Sequence, residues 1–183
     1  MEKRLSYAYG RTLVISRIFT LAVVSVLIAV SVSLAPGFSA VSVAILGIVL
    51  AGCFVLFAVS PLLTEHWLTR SRLILRQGWY FRAVIALAEI EDVNAADDVG
   101  QARTPMGIHR PFGRPSLFVT GSRTNLVSLH LGSPRRFWQS FGLVATEIVF
   151  DVVDRAGFLA AIEERRGLLA PIKPDRPNAE LRD

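Results

Sequence analysis

The 183-residue chain is 52% hydrophobic and only 19% charged, with a mean hydropathy of +0.46, which excludes a polar disordered chain and fits one modest domain plus a membrane segment. Its net charge of +5 suits anionic lipid or topology signals, whereas the arginines are interleaved with no RNA-binding aromatic motif, against nucleic acid. The single cysteine, Cys53, excludes an intrachain disulfide and a thiolate metal cluster.

Residues 1–17 read as a basic N-terminal segment carrying Lys3, Arg4, Arg11 and Arg17. From Ile18 to Thr64 there is no charged residue, a run of 47 positions. It is long enough for a transmembrane hairpin over residues 18–63, broken at Ala35-Pro36-Gly37, where proline stops a helix and glycine frees a turn. The first span, Ile18 to Leu34, is short for a bilayer, and residues 12–16 extend it if Arg17 snorkels toward the headgroups. Small residues recur at helical spacing in both spans (Ala22, Ser25, Ala29 and Ser33; Ala44, Gly47, Ala51 and Ala58), which favours close helix packing. A second apolar span following at once argues against a cleaved signal peptide. Arg70, Arg72 and Arg76 follow the hairpin and the connecting turn is uncharged, so the positive-inside rule places both termini in the cytoplasm and the hairpin in the cell membrane.

Residues 64–169 read as a separate domain, because the apolar period changes to two. Leu73 and Leu75 alternate with Arg72, Ile74 and Arg76, and Gln77-Gly78 turns the chain into Phe81, Ala83, Ile85 and Leu87. Leu117 and Val119 follow a stretch, Thr104 to Pro115, that reads as a long exposed loop. A polar turn from Gly121 to Asn125 leads to Val127, Leu129 and Leu131, and Ile148, Phe150 and Val152 form the last strand. Asp154 is placed to cap a final helix whose apolar face is Phe158, Leu159 and Ile162, ended by Gly167 and Pro171. Residues 170–183, rich in proline and mixed charge, read as a disordered tail.

Two segments carry a family resemblance. Leu73-Ile74-Leu75-Arg76-Gln77-Gly78 is followed by Ile85-Ala86-Leu87-Ala88-Glu89-Ile90, ending at Val93, and the region from Ile148 to Ile162 supplies a closing strand and helix. Here the chain resembles the membrane-anchored pleckstrin-homology-like domain proteins of bacteria and archaea. The resemblance implies a two-helix transmembrane hairpin carrying a mostly β PH-like barrel closed by a C-terminal α-helix. It implies architecture more than activity.

Charge is the sharpest chemical feature. Glu89, Glu91, Asp92, Asp97 and Asp98 fall within ten residues, and from Val99 to Thr146 there is no acid, while Arg103, Arg110, Arg114, Arg123, Arg135 and Arg136 appear. Arginine's planar fork suits lipid phosphates or an acidic protein, so these six are the candidate lipid- or partner-binding residues. The competing reading pairs them with the acidic cluster. Phe112, between Arg110 and Arg114, is expected to pack on its own domain, as are Phe137-Trp138. His66, His109 and His130 lack metal-ligand spacing, and no nucleophile elbow, phosphate loop or paired-acid motif points to an enzyme or a cofactor. The best reading is a membrane-tethered module that docks a cytoplasmic protein or its own copies. An anionic-lipid-responsive domain comes second and an enzyme with an unrecognised site third. Reporter fusions before Met1 and after Asp183 are both expected to register as cytoplasmic; a C-terminal fusion active on the outer side would overturn the arrangement.

Overall fold

The computed structural model describes residues 4–35, 37, 39–96, 104–137, 142 and 144–169. The tail from residue 170, together with Arg103, Asp97, Asp98 and Trp138, lies outside them.

Helices α1 (Thr12–Leu34) and α2 (Ala40–Leu62) are each 23 residues long and apolar enough to cross a membrane. At about 1.5 Å per residue, each reaches roughly 35 Å, more than the ~30 Å of a hydrocarbon core. Protein buries only 11% of one apolar stretch and none of the other, leaving Phe19, Leu27 and Ile48 exposed. Apolar helices this bare are suited to lipid rather than water. Ser39 caps α2 by accepting from the Ser42 amide at 3.2 Å.

One turn of α2, Val55–Val59, widens to a π-helix just before Pro61. Pro61 has no N–H, so Leu56 and Phe57, the carbonyls it would pair in the wide and the normal register, need other donors. Ser60 Oγ donates to Leu56 at 2.5 Å and Arg17 Nη1 to Phe57 at 3.4 Å.

The remaining residues build two sheets. The first is an antiparallel meander of β1 (Leu5–Tyr7), β2 (His66–Leu68), β3 (Arg72–Gln77) and β4 (Phe81–Ala86). β3 and β4 pair from Arg72 with Ala86 to Gln77 with Phe81, and Gly78 takes the positive φ (66°) that the turn requires. A short 3₁₀ turn, Leu87–Glu89, redirects the chain into the second sheet. That sheet contains β5 (Ile90–Ala95), β6 (Gly107–His109), β7 (Ser116–Thr120), β8 (Leu126–Arg136) and β9 (Val144–Asp151), ordered β5-β8-β9-β7-β6. All its pairs are antiparallel except β7 with β9.

Three expectations change. No closed barrel forms among the described residues, because the β6–β7 hairpin occupies the second edge of β9 and the two sheets share no ladder. The basic N-terminal segment contains a strand: Leu5, Ser6 and Tyr7 pair with Leu68, Trp67 and His66. The supposed long loop from Thr104 to Pro115 holds β6, with Gly107, Ile108 and His109 opposite Thr120, Val119 and Phe118.

The C-terminal helix α3 (Arg155–Leu169) is present, and Asp154 Oδ1 accepts from the Gly157 amide at 2.9 Å. It runs through Gly167 instead of stopping there. Phe158 is fully buried, edge-on to Tyr7 of the first sheet (5.1 Å between centroids) and to Phe150 of the second (5.4 Å). Arg165 donates to the Leu68 carbonyl (2.6 Å) and Arg166 to that of Glu91 (2.7 Å), so the helix clasps both sheets. Phe158→Ala removes the ring both sheets share. It is expected to lower stability by about 3–5 kcal/mol in chemical denaturation of the micelle-bound protein, and a loss below about 1 kcal/mol would show that the ring does not join them.

Candidate functional site

The described residues concentrate their buried polar chemistry where the sheets meet the two helices. After β1 the chain passes through Ala8, Tyr9, Gly10 and Arg11 directly into α1. Tyr9 is 5% exposed; its hydroxyl donates to the Pro61 carbonyl at 2.6 Å and lies 2.8 Å from Thr64 Oγ1. Burial raises its pKa above the ordinary value of 10.0. Thr64 Oγ1 accepts from the Gly78 amide at 2.9 Å and Ser60 Oγ from the Trp79 amide at 3.1 Å, tying the β3–β4 turn to the end of α2.

Asp151, at the end of β9, closes the other side. Its carboxylate accepts from the Gly10 amide at 2.6 Å and the Gly121 amide at 2.5 Å. The Leu13 amide donates to Gly121 (2.9 Å) and the Val153 amide to Ala8 (2.8 Å). Both glycines are sterically required: a Cβ on Gly10 would lie 2.2 Å from Ser122 Cβ, and one on Gly121 would lie 2.2 Å from the Gly10 carbonyl oxygen. Beside this seam His66 is buried, stacked on Tyr9 with 5.0 Å between centroids, and its Nδ1 accepts from the Arg76 amide at 3.2 Å. Gln77 Nε2 reaches across to the Thr120 carbonyl at 3.0 Å and links the sheets.

The candidate arginines do not converge on this seam. Arg110 Nε donates to the Val144 carbonyl at 3.0 Å, and Val144 and Ala145 pair with Arg136 and Arg135. Arg110, Arg135 and Arg136 therefore meet at the start of β9, and Arg114 sits in the adjoining turn, its amide 3.4 Å from the Pro111 carbonyl. Arg123 is at the opposite end of β7 and β8, beside the junction, where its Nε donates to Thr104 at 3.1 Å. β7 alone separates the two ends by about 16 Å. Arg135 pairs with Glu89 at 2.5 Å, so part of the acidic cluster does neutralise part of the basic stretch. Arg103 lies outside the described residues.

Phe112 corrects its expectation: it is 99% exposed at the tip of the β6–β7 turn instead of packed on the domain. Its neighbours explain this, since Pro111, Gly113 (φ 75°) and Pro115 hold the chain in a turn with no apolar surface beneath it. Phe137, in contrast, is buried. Among the described residues no group of three or more His, Cys, Asp or Glu is arranged to hold a metal ion.

The residues missed in sequence were Tyr9, Gly10, Gly121 and Asp151. The one available signal was Asp151 itself, an acid directly after the apolar run Ile148-Val149-Phe150, since an acid in such a place needs buried donors. No family model, characterised protein or solved structure matches this chain.

Burial moves two groups in opposite senses. It raises Asp151 from 3.8 to about 6 and lowers His66 from 6.5 to about 3. For Asp151 the native state holds the proton more tightly, so its contribution to stability is complete below pH 3.8 and is lost as pH rises through about 6. For His66 the unfolded chain takes the proton first, so stability is lost as pH falls from 6.5 toward 3. Between those values the two slopes, each at most about 1.4 kcal/mol per pH unit, oppose one another. Relative to the wild type, denaturation of Asp151→Asn across roughly pH 4–7 is therefore expected to show stability falling more steeply on acidification. His66→Phe is expected to show the reverse change, and parallel profiles for all three proteins would refute the coupling.

Proposed function

We propose that this protein is a membrane-tethered binding module, with its hairpin in the cell membrane, both termini in the cytoplasm and a PH-like β domain that docks a cytoplasmic protein or its own copies. The observation that carries the reading is Phe112, an almost wholly exposed aromatic between Arg110 and Arg114 at the end of β7 remote from the junction. An exposed aromatic flanked in sequence by two cations suits a partner with an apolar pocket and an acidic rim.

The anionic-lipid reading has less support. The hairpin already secures membrane residence, and Arg110, Arg114, Arg135 and Arg136 gather at the end of the strands away from the helices. The seam around Asp151 supports a scaffold role, because a module held by several buried hydrogen bonds presents its tip in one orientation.

A photo-crosslinking residue at position 112 of the full-length protein in membranes is expected to give a protein adduct that Arg110→Ala with Arg114→Ala diminishes. A crosslinker at exposed Ala160 on α3 serves as control. An adduct of twice the chain's mass identifies its own copies as the partner. Adducts with lipid alone would favour the anionic-lipid domain and overturn protein docking.

A further inference from the structure

We propose that the junction is also a phospholipid site, in which Arg17 holds the headgroup phosphate and Trp79 seats an acyl chain against α2. The proposal rests on α1 and α2 spanning the membrane. Trp79, at the β3–β4 turn, is 59% exposed although its backbone is fastened to Ser60. Its ring closes one side of a shallow apolar groove of about 620 Å³ whose other walls are Ala51, Gly52, Val55 and Leu56 of α2. These wall residues lie in the uncharged span, roughly two to three turns before its end at the junction, so the groove lies at acyl-chain depth, while the Trp79 backbone, fastened to Ser60, sits at the end of the span.

The charge lies beside the groove. Arg17 is the one charged residue within the two spans. Its Nη1 donates to the Tyr80 hydroxyl and to the Phe57 carbonyl, and its guanidinium lies over the Tyr80 ring. Tyr80 adjoins Trp79 and packs on Phe57 at 5.5 Å, so cation and groove are contiguous. Among the described residues no carboxylate pairs with Arg17, and neither its Nε nor its Nη2 makes a hydrogen bond. Those free donors form the fork that a phosphodiester accepts in bidentate fashion. Pro61 makes the arrangement durable, because the Phe57 carbonyl it leaves unpaired holds Nη1 in place.

The test uses the full-length protein in nanodiscs containing phospholipid brominated along one acyl chain. Bromine-dependent quenching of tryptophan emission is expected in the wild type and largely lost in Trp79→Phe; equal quenching in both would overturn the seat. In native mass spectrometry from detergent, the wild type is expected to retain a phospholipid adduct that Arg17→Gln loses and Arg17→Lys partly restores. Retention by Arg17→Gln equal to wild type would overturn the phosphate role, and so would displacement of the lipid by inorganic phosphate, which would make free phosphate the ligand. Release of the wild type by alkaline carbonate would overturn the spans and the lipid site together. An integral protein with unquenched Trp79 would overturn the lipid site alone, leaving docking at Phe112 untouched.

Discussion

A single buried carboxylate joins parts of the chain that sequence keeps far apart. Asp151 binds the amides of Gly10 and Gly121, and so pins the segment entering α1 to the β7–β8 turn and the end of β9. Each charge-assisted bond of this kind is worth about 1.5–3 kcal/mol, and removing the acceptor would strand the buried Gly121 amide and the part-buried Gly10 amide. The close approach admits no side chain on either glycine, so carboxylate and glycines act as one unit. With β1 on the near side of α1 and every other strand beyond α2, the seam makes two chain segments divided by a hairpin into one folded body.

The same seam sets what each end of the domain offers. Facing the helices are Tyr9, Ser60, Thr64, Arg17 and the β3–β4 turn, a set that satisfies the carbonyls exposed by Pro61 and brings Trp79 against α2. At the other end of β7 the Arg110–Arg114 turn lifts Phe112 into solvent. Aromatic and cationic residues occur at both ends, but their surroundings differ: one pair lies against an uncharged helix, the other at the rim of a sheet. The proposed lipid and protein partners follow from that difference.

Burial also drives the two titratable groups of the seam in opposite directions. Asp151 would rather be protonated and His66 would rather not, both because charge is costly away from water. Their proton uptakes therefore oppose one another across mildly acidic pH, and the Tyr9 ring stacked on His66 ties that histidine to the end of α2.

The uncharged run, the alternation from Leu73 to Leu87, the Gly78 turn and the Asp154 cap all depend on neighbours within a few residues, so local sequence pattern determined the two helices, strands β3, β4, β7, β8 and β9, and α3. Whether β7 lies parallel to β9, whether three residues of a basic N-terminal segment form a strand, and whether Phe112 finds a surface were settled by partners distant in sequence: Leu5 pairs with Leu68, and Gly10 meets Asp151 across 141 positions. Short strands such as β1 and β6 hold too few residues to show a period, and their backbone hydrogen bonds form only once the rest of the sheet exists. The arginine-rich stretch shows the same division. Its composition was plain in the sequence, but the split between Arg123 at the junction and Arg110, Arg114, Arg135 and Arg136 at the far end was decided by strand direction, which charge counting cannot supply.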